Sequence, residues 1–450
     1  MKIGLEIHVY IDTKEKLFCT CPSEHGSKNA KPNTNICPIC TAQLGCKPML
    51  PNQTAVDKAI EIALVLDCKV NSKLIWQRKH YSWPDLPKGY QNTLSGPHAI
   101  PVGEKGNFEG IRITEAHLEE DPAAWNPESG EIDYNRSGSP LIEIVTEPDF
   151  KSSEQVVEWL KQLIATLGYI KAIDKKSGIK SDVNVSIPGG ARIEIKNVNS
   201  ITNIKNAIEV EFKRQQKEKP IHQETRRFDA KKQITTMMRS KENAQDYRFI
   251  SDPDLPVIKI ESSRIQKLKQ ALPETPKQKL TKLVKKHKIP EQHAKVLAKN
   301  IDIVKFFEKT LEKVKPELAI TWTTDELLGV LNHHKKTLDE VEIDVEHFIE
   351  LLKLVEKKTI SALKAKDILR KFIPKSFSPK KEAEKNKQIS NKGEIEKLAK
   401  KVIKENPKAV EDYKAGKKES INFLVGQIML LSNKRADFKT AKDILEKELK

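Results

Sequence analysis

The sequence predicts an α+β protein in which a region of strands and turns precedes two helical regions. Residues 1 to about 260 alternate polar and apolar residues and are interrupted by turns such as Pro188-Gly189-Gly190. From about residue 262 to 373 the apolar residues recur at helical spacing, and only four of the 18 glycines lie beyond residue 260. With 450 residues, 38% hydrophobic and 32% charged, the chain is expected to fold into two to four globular domains.

Changes in composition predict three domains, over residues 1–261, 262–385 and 390–450. The stretch that begins Ile373-Pro374-Lys375-Ser376 and runs through a region rich in Lys, Glu and Asn to about residue 392 is interpreted as a linker. The last domain is expected to be helical, with one apolar face. That face comprises Ile421, Leu424, Val425, Ile428 and Leu431.

Charge is distributed unevenly along the chain. Residues 1–260 carry 36 Lys and Arg against 34 Asp and Glu, whereas residues 261–450 carry 44 against 29. A Lys-rich helical half with a net charge of +15 favours contact with a nucleic acid, although a solvated basic surface remains the alternative. The chain begins without the apolar core of a signal peptide and has no membrane-length apolar stretch, so we expect a cytoplasmic protein that does not enter a membrane.

The cysteine spacing predicts a structural metal site. Cys19-x-Cys21 and Cys37-Pro-Ile-Cys40 can each bring two thiolates to one tetrahedral ion, and the loop between the pairs is long enough to bring them together. Four thiolates would leave no open position for a substrate, so the ion would be zinc in a structural role. Cys46 and Cys68 have no partners at metal-binding spacing and are expected to be core thiols.

The first strand carries candidate functional residues. Gly4 to Ile11 alternates polar and apolar residues, so Glu6, His8 and Tyr10 share one face of a strand. This pattern offers oxygen and nitrogen ligands to one cation, although it also describes a strand with one wet face.

Two further segments favour the cation. Glu143 lies within the apolar stretch Leu141–Val145, and a buried carboxylate needs a cationic partner, either a basic side chain or a metal. The sequence His117-Leu-Glu119-Glu120-Asp121 adds an acidic cluster, whose alternative interpretation is a solvated turn before Pro122. One histidine with two or three carboxylates suits Mg²⁺.

Polar faces on other strands indicate a cleft above a sheet. Lys79 lies in a basic, aromatic segment, Asp182 and Asn184 lie on one predicted strand, and Lys196 lies on the next. The phosphate-binding loop, the dinucleotide-binding glycine motif and the serine-nucleophile elbow do not occur in the sequence.

Several long motifs identify a family resemblance. The chain resembles the B subunit of the aspartyl/glutamyl-tRNA amidotransferases over almost its whole length. The motifs are Ile3-Gly-Leu-Glu-Ile-His8, Tyr81-x-x-Pro-Asp-Leu-Pro-Lys-Gly-Tyr90-Gln91, Pro140-Leu-Ile-Glu-Ile-Val-Thr-Glu-Pro-Asp149, Glu194-Ile-Lys-Asn-Val-Asn-Ser200 and Asn422-Phe-Leu-Val-Gly-Gln-Ile-Met429.

The resemblance implies a cradle-shaped domain built on a mixed or antiparallel sheet, a helical middle domain and a small helical tail that meets tRNA. It implies that His8, Glu120 and Glu143 bind Mg²⁺, with Glu6 close by. It also agrees with a zinc site at the four cysteines. The remaining candidates are ATP-binding residues (Lys79, Asp182, Asn184 and Lys196) and catalytic residues (Glu6, Lys79, Asp182 and Lys196).

The function that the resemblance implies is a tRNA-dependent amidation. ATP would phosphorylate the side-chain carboxylate of Asp or Glu mischarged on tRNA. Ammonia from a partner amidase (the A subunit), which assembles with a small C subunit, would displace the phosphate. The alternatives are a non-catalytic tRNA-binding scaffold and the paralogous archaeal E subunit. An aminoacyl-tRNA synthetase or other ligase is disfavoured because no adenylate-forming signature is recognisable.

Overall fold

The computed structural model describes residues 1–23, 30–175, 177–240, 247–389 and 392–449. It divides into two compact units, Met1–Thr275 and Pro276–Lys450. The first contains the described strands and the second is helical, so the predicted α+β class is confirmed.

The strands of the first unit are β1 (Lys2–Tyr10), β2 (Lys69–Val70), β3 (Lys73–Leu74), β4 (Gln77–His80), β5 (Tyr90–Thr93), β6 (Gly103–Phe108), β7 (Ile111–Glu120), β8 (Ala124–Trp125), β9 (Ile132–Asp133), β10 (Pro140–Thr146), β11 (Lys180–Ser186), β12 (Ile193–Asn199), β13 (Glu224–Asp229), β14 (Ile234–Ser240), β15 (Ile250–Ser251) and β16 (Ile258–Lys259). Its helices are α1 (Gln53–Val65), α2 (Ser153–Tyr169), α3 (Ile201–Glu218) and α4 (Ser262–Ala271).

One large sheet organises this unit, with the strand order β14-β13-β12-β11-β1-β10-β7-β5-β4-β15. Strand β6 also pairs with β7, and β2 pairs with β6. The pairings are antiparallel except for β12 with β13, and the hairpin predicted through Pro188-Gly189-Gly190 joins β11 to β12. The first strand of the chain therefore lies in the interior of the sheet.

The two faces of β1 differ as the alternation predicts. Leu5, Ile7 and Val9 are buried, whereas His8 and Tyr10 on the other face are only partly buried. Isoleucine and valine pack well on a pleated surface, so the apolar face of β1 joins the core. Helices α1 and α3 cover the sheet on its apolar side, and α2 packs on α3. The polar face is left for a site.

Helix α4 belongs to the first unit because it packs on α1, where Arg264 Nε lies 2.7 Å from an Asp57 carboxylate oxygen. The first unit thus extends to residue 275, beyond the predicted boundary at 261.

The second unit contains α5 (Pro276–His287), α6 (Glu291–Leu297), α7 (Ile301–Leu311), α8 (Pro316–Thr321), α9 (Leu328–His333), α10 (Val345–Glu356), α11 (Ala362–Arg370), α12 (Lys380–Lys385), α13 (Lys392–Glu405), α14 (Pro407–Lys414), α15 (Ser420–Leu431) and α16 (Phe438–Glu448). A π-helical segment (Trp322–Leu327) joins α8 to α9, and a 3₁₀ turn spans Leu338–Glu340.

The tail helices α13 to α16 share one apolar core. Ile421, Leu424, Val425 and Ile428 are buried in it as predicted, whereas Leu431 is 42% exposed, so the prediction for that residue is wrong. Ile389, from the segment interpreted as a linker, packs in the same core. Residues 390 and 391, where the predicted third domain begins, lie outside the described residues.

None of the described helices combines the length and the apolar character needed to cross a membrane.

Candidate active site

A cavity of about 620 Å³ opens on the polar face of the sheet. Nine neighbouring strands, from β14 to β4 in the sheet order, each contribute to its lining. Because strands near both ends of this order line one cavity, the sheet curls around it. The lining residues taken strand by strand are Met238, Thr225, Lys196, Asp182, His8, Leu141, Glu119, Gln91 and Lys79.

Glu143 lies between two histidines at the centre of this sheet. It is the cross-strand partner of His8 on one side and of His117 on the other. Its Oε2 atom lies 3.3 Å from His8 Nε2 and 3.2 Å from His117 Nε2. The buried carboxylate therefore has a basic partner on each neighbouring strand.

The charges of this group depend on one another. Burial by itself would raise the pKa of Glu143, but His8 and His117 outweigh it and hold that pKa well below the usual range. Burial lowers the pKa of His8, but Glu143, Asp182 and Glu119 together outweigh burial, so the pKa of His8 rises to about 9. The glutamate is thus ionised, and binding of a metal ion by His8 would require its imidazole to release a proton.

Glu119 completes a set of ligands that fits a hard divalent ion. Ligand atoms of His8, Glu119 and Glu143 all lie within 4.8 Å of one another. Two carboxylates and one imidazole suit Mg²⁺ or Mn²⁺ when water and substrate oxygens fill the remaining positions. His117 Nε2 lies 3.6 Å from Glu119 Oε1, which holds that carboxylate beside Glu143.

Glu120, the expected third ligand, lies elsewhere. Its carboxylate accepts a hydrogen bond from the backbone NH of Asn92 and pairs with Lys88, next to the loop that carries Cys40. Consecutive side chains on a strand point to opposite faces, so Glu119 faces the cavity and Glu120 does not. The structure therefore brings His8 and Glu143 together with Glu119 rather than with Glu120.

A second charged group lies on β11 and β12. Lys196 Nζ lies 2.6 Å from carboxylate oxygens of both Asp182 and Glu194. Glu6, Asp182 and Glu194 could themselves hold a metal, since their ligand atoms lie within 4.8 Å, but the Lys196 ammonium already neutralises part of their charge. Burial lowers the pKa of Lys196, yet the three carboxylates outweigh it and raise that pKa above its usual range.

The remaining candidate residues, Glu6, Asn184 and Lys79, lie around these two charged groups. Burial raises the pKa of Glu6 and Lys196 opposes that rise, while Asn184 donates a hydrogen bond to Glu6 at 3.2 Å. Lys79 lies on the far side of the cavity with its Nζ 5.1 Å from the ring centre of Tyr247. Burial lowers the pKa of Lys79, but the nearby groups, Glu119 and Glu143 first, raise it by more than burial lowers it. The lysine therefore stays charged.

The four predicted cysteines converge. The Sγ atoms of Cys19, Cys21, Cys37 and Cys40 lie within 4.8 Å of one another, which is a geometry that can hold a metal ion. The Cys19 thiol lowers the pKa of Cys40 to about 4, with help from Lys16.

A buried lysine supports an anionic thiolate cluster. Lys16 is 1% exposed, and its Nζ lies 3.5 Å from the Cys40 sulfur. A buried ammonium placed beside sulfur atoms fits thiolates better than neutral thiols. Of the two other cysteines, Cys68 is buried as predicted, whereas Cys46 is exposed, so the prediction of a core thiol there is wrong.

Sequence reasoning did not single out the roles of His117 and Glu119. A signal was present, because Glu115, His117, Glu119 and Asp121 alternate with other residues along one strand. Period-two spacing puts these four residues on one face.

Comparison with known proteins identifies the family domain that contains this cavity. The family model described as the GatB/GatE catalytic domain matches residues 1–266, which contain every residue that lines the cavity. The chain belongs to the GatB/GatE family. The model described as the GatB domain matches residues 305–449.

Curated GatB/GatE relatives cover the chain from end to end. The B subunit of the aspartyl/glutamyl-tRNA(Asn/Gln) amidotransferase of Methanothermobacter thermautotrophicus is 41% identical, with 100% of both chains covered. The B subunits of the same name from Methanocaldococcus jannaschii and Methanopyrus kandleri are 43% and 40% identical, each with 100% of this chain and 98% of the relative covered.

Proposed function

We propose that this chain carries out the ATP-dependent step of a tRNA amidotransferase, converting Asp-tRNA(Asn), Glu-tRNA(Gln) or both to Asn-tRNA(Asn) and Gln-tRNA(Gln). The relatives are named for this reaction. The observation that carries the proposal is the cluster of His8, Glu119 and Glu143, because His8 and Glu119 line the same cavity as the charged lysines Lys79 and Lys196. Such a group can hold a metal nucleotide beside a carboxylate.

The proposed reaction has two steps, phosphorylation of a carboxylate and displacement of the phosphate by ammonia. The side-chain carboxylate of the aminoacyl group attacks the γ-phosphorus of ATP, which releases ADP and forms an acyl phosphate. Ammonia then attacks the acyl carbon, phosphate leaves and one proton is lost. Phosphoryl transfer needs alignment and charge neutralisation more than it needs a protein nucleophile.

Each residue has a role that follows from its position. His8, Glu119 and Glu143 would hold Mg²⁺, which neutralises charge on the transferred phosphoryl group. We propose Glu119 in place of Glu120 because Glu120 faces away from the cavity and is paired with Lys88. Lys79 would contact the phosphates from the opposite wall.

Lys196 is the second candidate for a phosphate contact. Asp182 lines the cavity and pairs with it, while Asn184 reaches the group through Glu6. The carboxylates of Glu6 and Asp182 fix the position of the ammonium, so they would act on the nucleotide through Lys196.

The four-cysteine cluster would hold a structural zinc ion. Four thiolates satisfy the tetrahedral preference of zinc and leave no position for a substrate. The ion would tie the loop that contains Cys37 and Cys40 to the strand-end segment that contains Cys19.

The proposed partners follow from the reaction. Ammonia would come from the amidase, or A subunit, in a complex that also holds a small C subunit, and the mischarged tRNA would be the substrate. The excess of basic residues beyond residue 260 would contact tRNA phosphates, with 262–385 as a helical middle domain and 390–450 as a tRNA-binding tail. A reaction on aminoacyl-tRNA would take place in the cytoplasm.

The test of this proposal is amidation of mischarged tRNA by the complex with its partner subunits, with ammonium chloride as nitrogen donor. Glu143→Gln keeps the size and one carbonyl oxygen but removes the charge, so amidation and tRNA-dependent ADP formation should both be lost. Added ammonium should not restore them, because the carboxylate is never activated. Glutamine hydrolysis by the partner and tRNA binding should persist.

The matched control is Glu128→Gln, which makes the same change at an exposed position. It should leave amidation unchanged. If Glu143→Gln instead amidates normally with ammonium at ordinary Mg²⁺, Glu143 is a structural carboxylate and the assignment of this cavity as the active site is wrong. An ADP-forming defect also distinguishes an enzyme from a scaffold that only binds tRNA.

A further inference from the structure

One end of the active-site cavity is lined by residues that the activation step does not use. They are Tyr10, Tyr81, Trp83, Asp85, Asp121 and Arg136. This group, here called the Asp85 end, differs in character from the metal end formed by His8, Glu119 and Glu143. It has aromatic walls, two carboxylates and one guanidinium.

The sheet register fixes the Asp85 end close to the metal end. Tyr10 follows His8 by two residues on β1, and Asp121 follows Glu119 by two residues after β7. A two-residue step along a strand is about 7 Å. The Tyr10 hydroxyl donates a hydrogen bond to Asp121, so the two strands are joined there. An Asp or Glu residue esterified to tRNA can therefore place its side-chain carboxylate at the metal end and the amino group on its α-carbon at the Asp85 end.

Arg136 already makes an ion pair and two hydrogen bonds within the protein. Its Nε atom lies 3.1 Å from Asp121 Oδ2, and its guanidinium donates hydrogen bonds to the backbone oxygens of Pro122 and Ala123 at 2.9 and 2.6 Å. It neutralises one of the two carboxylates. Ordinary tyrosine hydroxyls are uncharged at neutral pH. The Asp85 end therefore keeps a net charge of −1.

Asp85 carries the remaining negative charge of this end, and one of its two carboxylate oxygens is unpaired among the described residues. Its Oδ1 atom is buried and has no hydrogen-bond partner within the described residues. Burial raises the pKa of Asp85, and the hydrogen bond from its own backbone NH and the charge of Arg136 oppose that rise only in part. Leaving a buried polar atom unpaired costs free energy, and such atoms in native proteins are usually satisfied by a ligand, water or ion. The main chain of Asp85 is held separately, because its carbonyl accepts a hydrogen bond from Ala123 N at 2.8 Å.

We propose that the Asp85 end binds the free α-ammonium group of the aminoacyl ester, with Asp85 as the residue that recognises it. This inference rests on the proposed function, since it assigns part of the same substrate. The ammonium of an aminoacyl-tRNA is a primary cation near the carboxylate that is activated. A carboxylate at the Asp85 end and a metal at the other would fix the substrate at both ends and set the distance of its side chain from the phosphates.

The experiment compares Asp-tRNA with N-acetyl-Asp-tRNA as substrates of the complete complex, with ammonium chloride as nitrogen donor. Acetylation removes the positive charge and leaves the side-chain carboxylate intact. Wild type should prefer the free amine by about 10- to 100-fold in kcat/KM, the range expected for one hydrogen bond to a charged group. Asp85→Asn should raise the KM for Asp-tRNA by about tenfold or more with little change in kcat, and should leave the N-acetylated substrate unaffected.

The control is Asp443→Asn, the same change at an exposed position of α16. Asp85→Asn should also keep or raise the thermal unfolding midpoint, because Asp85 is only partly buried and its Oδ1 atom has no hydrogen-bond partner among the described residues to lose, and a lowered midpoint would point to a structural role. The inference is overturned if wild type amidates both substrates equally, if Asp85→Asn keeps the wild-type preference, or if it raises only the KM for ammonium. Where wild type amidates Glu-tRNA(Gln) instead, the same comparison is made with N-acetyl-Glu-tRNA. Failure of the proposed function is distinct, because wild type would then amidate none of these substrates.

Discussion

Glu119 and Glu120 are adjacent in β7, yet their carboxylates lie on opposite faces of the sheet. Glu119 lies 3.6 Å from His117 Nε2 in the active-site cavity, whereas Glu120 accepts a hydrogen bond from Asn92 N at 2.9 Å. The pairing of His117 with Glu143 determines this arrangement. A shift of one residue in that register would exchange the two glutamates.

Glu119→Gln should therefore abolish carboxylate activation and Glu120→Gln should not. Loss of a charged metal ligand is expected to reduce the amidation rate by about 100-fold or more, with little change in stability. Glu120→Gln leaves Lys88 without its ionic partner and should cost about 1–3 kcal/mol of unfolding free energy. Single-turnover amidation and urea unfolding of both variants measure the two effects. The reverse pattern would restore Glu120 as the metal ligand.

The four-cysteine cluster should bind about one zinc ion per chain when the protein is purified without chelator. Cys37→Ser should lose that zinc and lower the thermal unfolding midpoint, since a closed site is opened. Cys46→Ser is the matched control because Cys46 is exposed, and it should retain both zinc and stability. Elemental analysis and thermal unfolding make the measurement. A wild-type protein without stoichiometric zinc would contradict the prediction.

Removing the charge of Lys196 should make stability depend on pH. Lys196→Met leaves the carboxylates of Glu6, Asp182 and Glu194 without their shared cation, at a cost of up to about 3–5 kcal/mol near neutral pH. Burial already raises the pKa of Glu6 and Lys196 opposes that rise, so without the lysine the pKa of Glu6 rises further above its unfolded value and the folded state binds more protons. The variant should consequently gain stability relative to wild type as the pH falls.

Urea unfolding at pH 5.5 and pH 8 tests this prediction. Lys196→Arg is the control, because it preserves the positive charge and should show the smaller pH dependence of wild type. An equal loss of stability for Lys196→Met at both pH values would mean that packing, rather than charge, is the contribution of the lysine.

Binding of tRNA should weaken steeply as salt rises, because neutralising phosphates releases counterions. Changing four exposed lysines of α13 to glutamine should weaken binding and reduce the salt slope by up to about four units, roughly one for each phosphate that is no longer neutralised. The four are Lys397, Lys400, Lys401 and Lys404. Filter binding over a salt series measures both quantities.

The control for tRNA binding is an equal change of charge on the first unit. Lys69, Lys105, Lys231 and Lys232 are also exposed, and their change to glutamine should alter the affinity much less. Equal effects of the two sets would mean that the lysines act only through overall charge, and no effect of either would leave the basic residues as solvated surface.

The sequence was sufficient for features that depend on local spacing. The alternation in β1 places His8 on the polar face, and the Cys19/Cys21 and Cys37/Cys40 pairs meet as their spacing predicts. The apolar context of Glu143 predicts a cationic partner, and the structure supplies two histidines. In each case the prediction depends on a short sequence pattern around the residue concerned.

The differences between the sequence-based expectations and the structure concern phase and exposure, which local spacing does not determine. Glu119 and Glu120 have the same side chain, and only pairing with β10 decides which of them faces the cavity. Leu431 has the right spacing for a core residue but is the last residue of α15, where the apolar face leaves the core. Cys46 lies in a loop, and no periodicity reports whether a loop residue is buried.

The position of β1 between β10 and β11 has a consequence for biosynthesis. His8 leaves the ribosome early, but Glu143 follows only after more than a hundred further residues, roughly ten seconds later at ordinary rates of translation. Until then β1, with its apolar face, has neither of its neighbours in the sheet. The nascent chain therefore carries an unpaired, aggregation-prone strand that a chaperone can recognise, and the cavity cannot be complete before Tyr247 emerges.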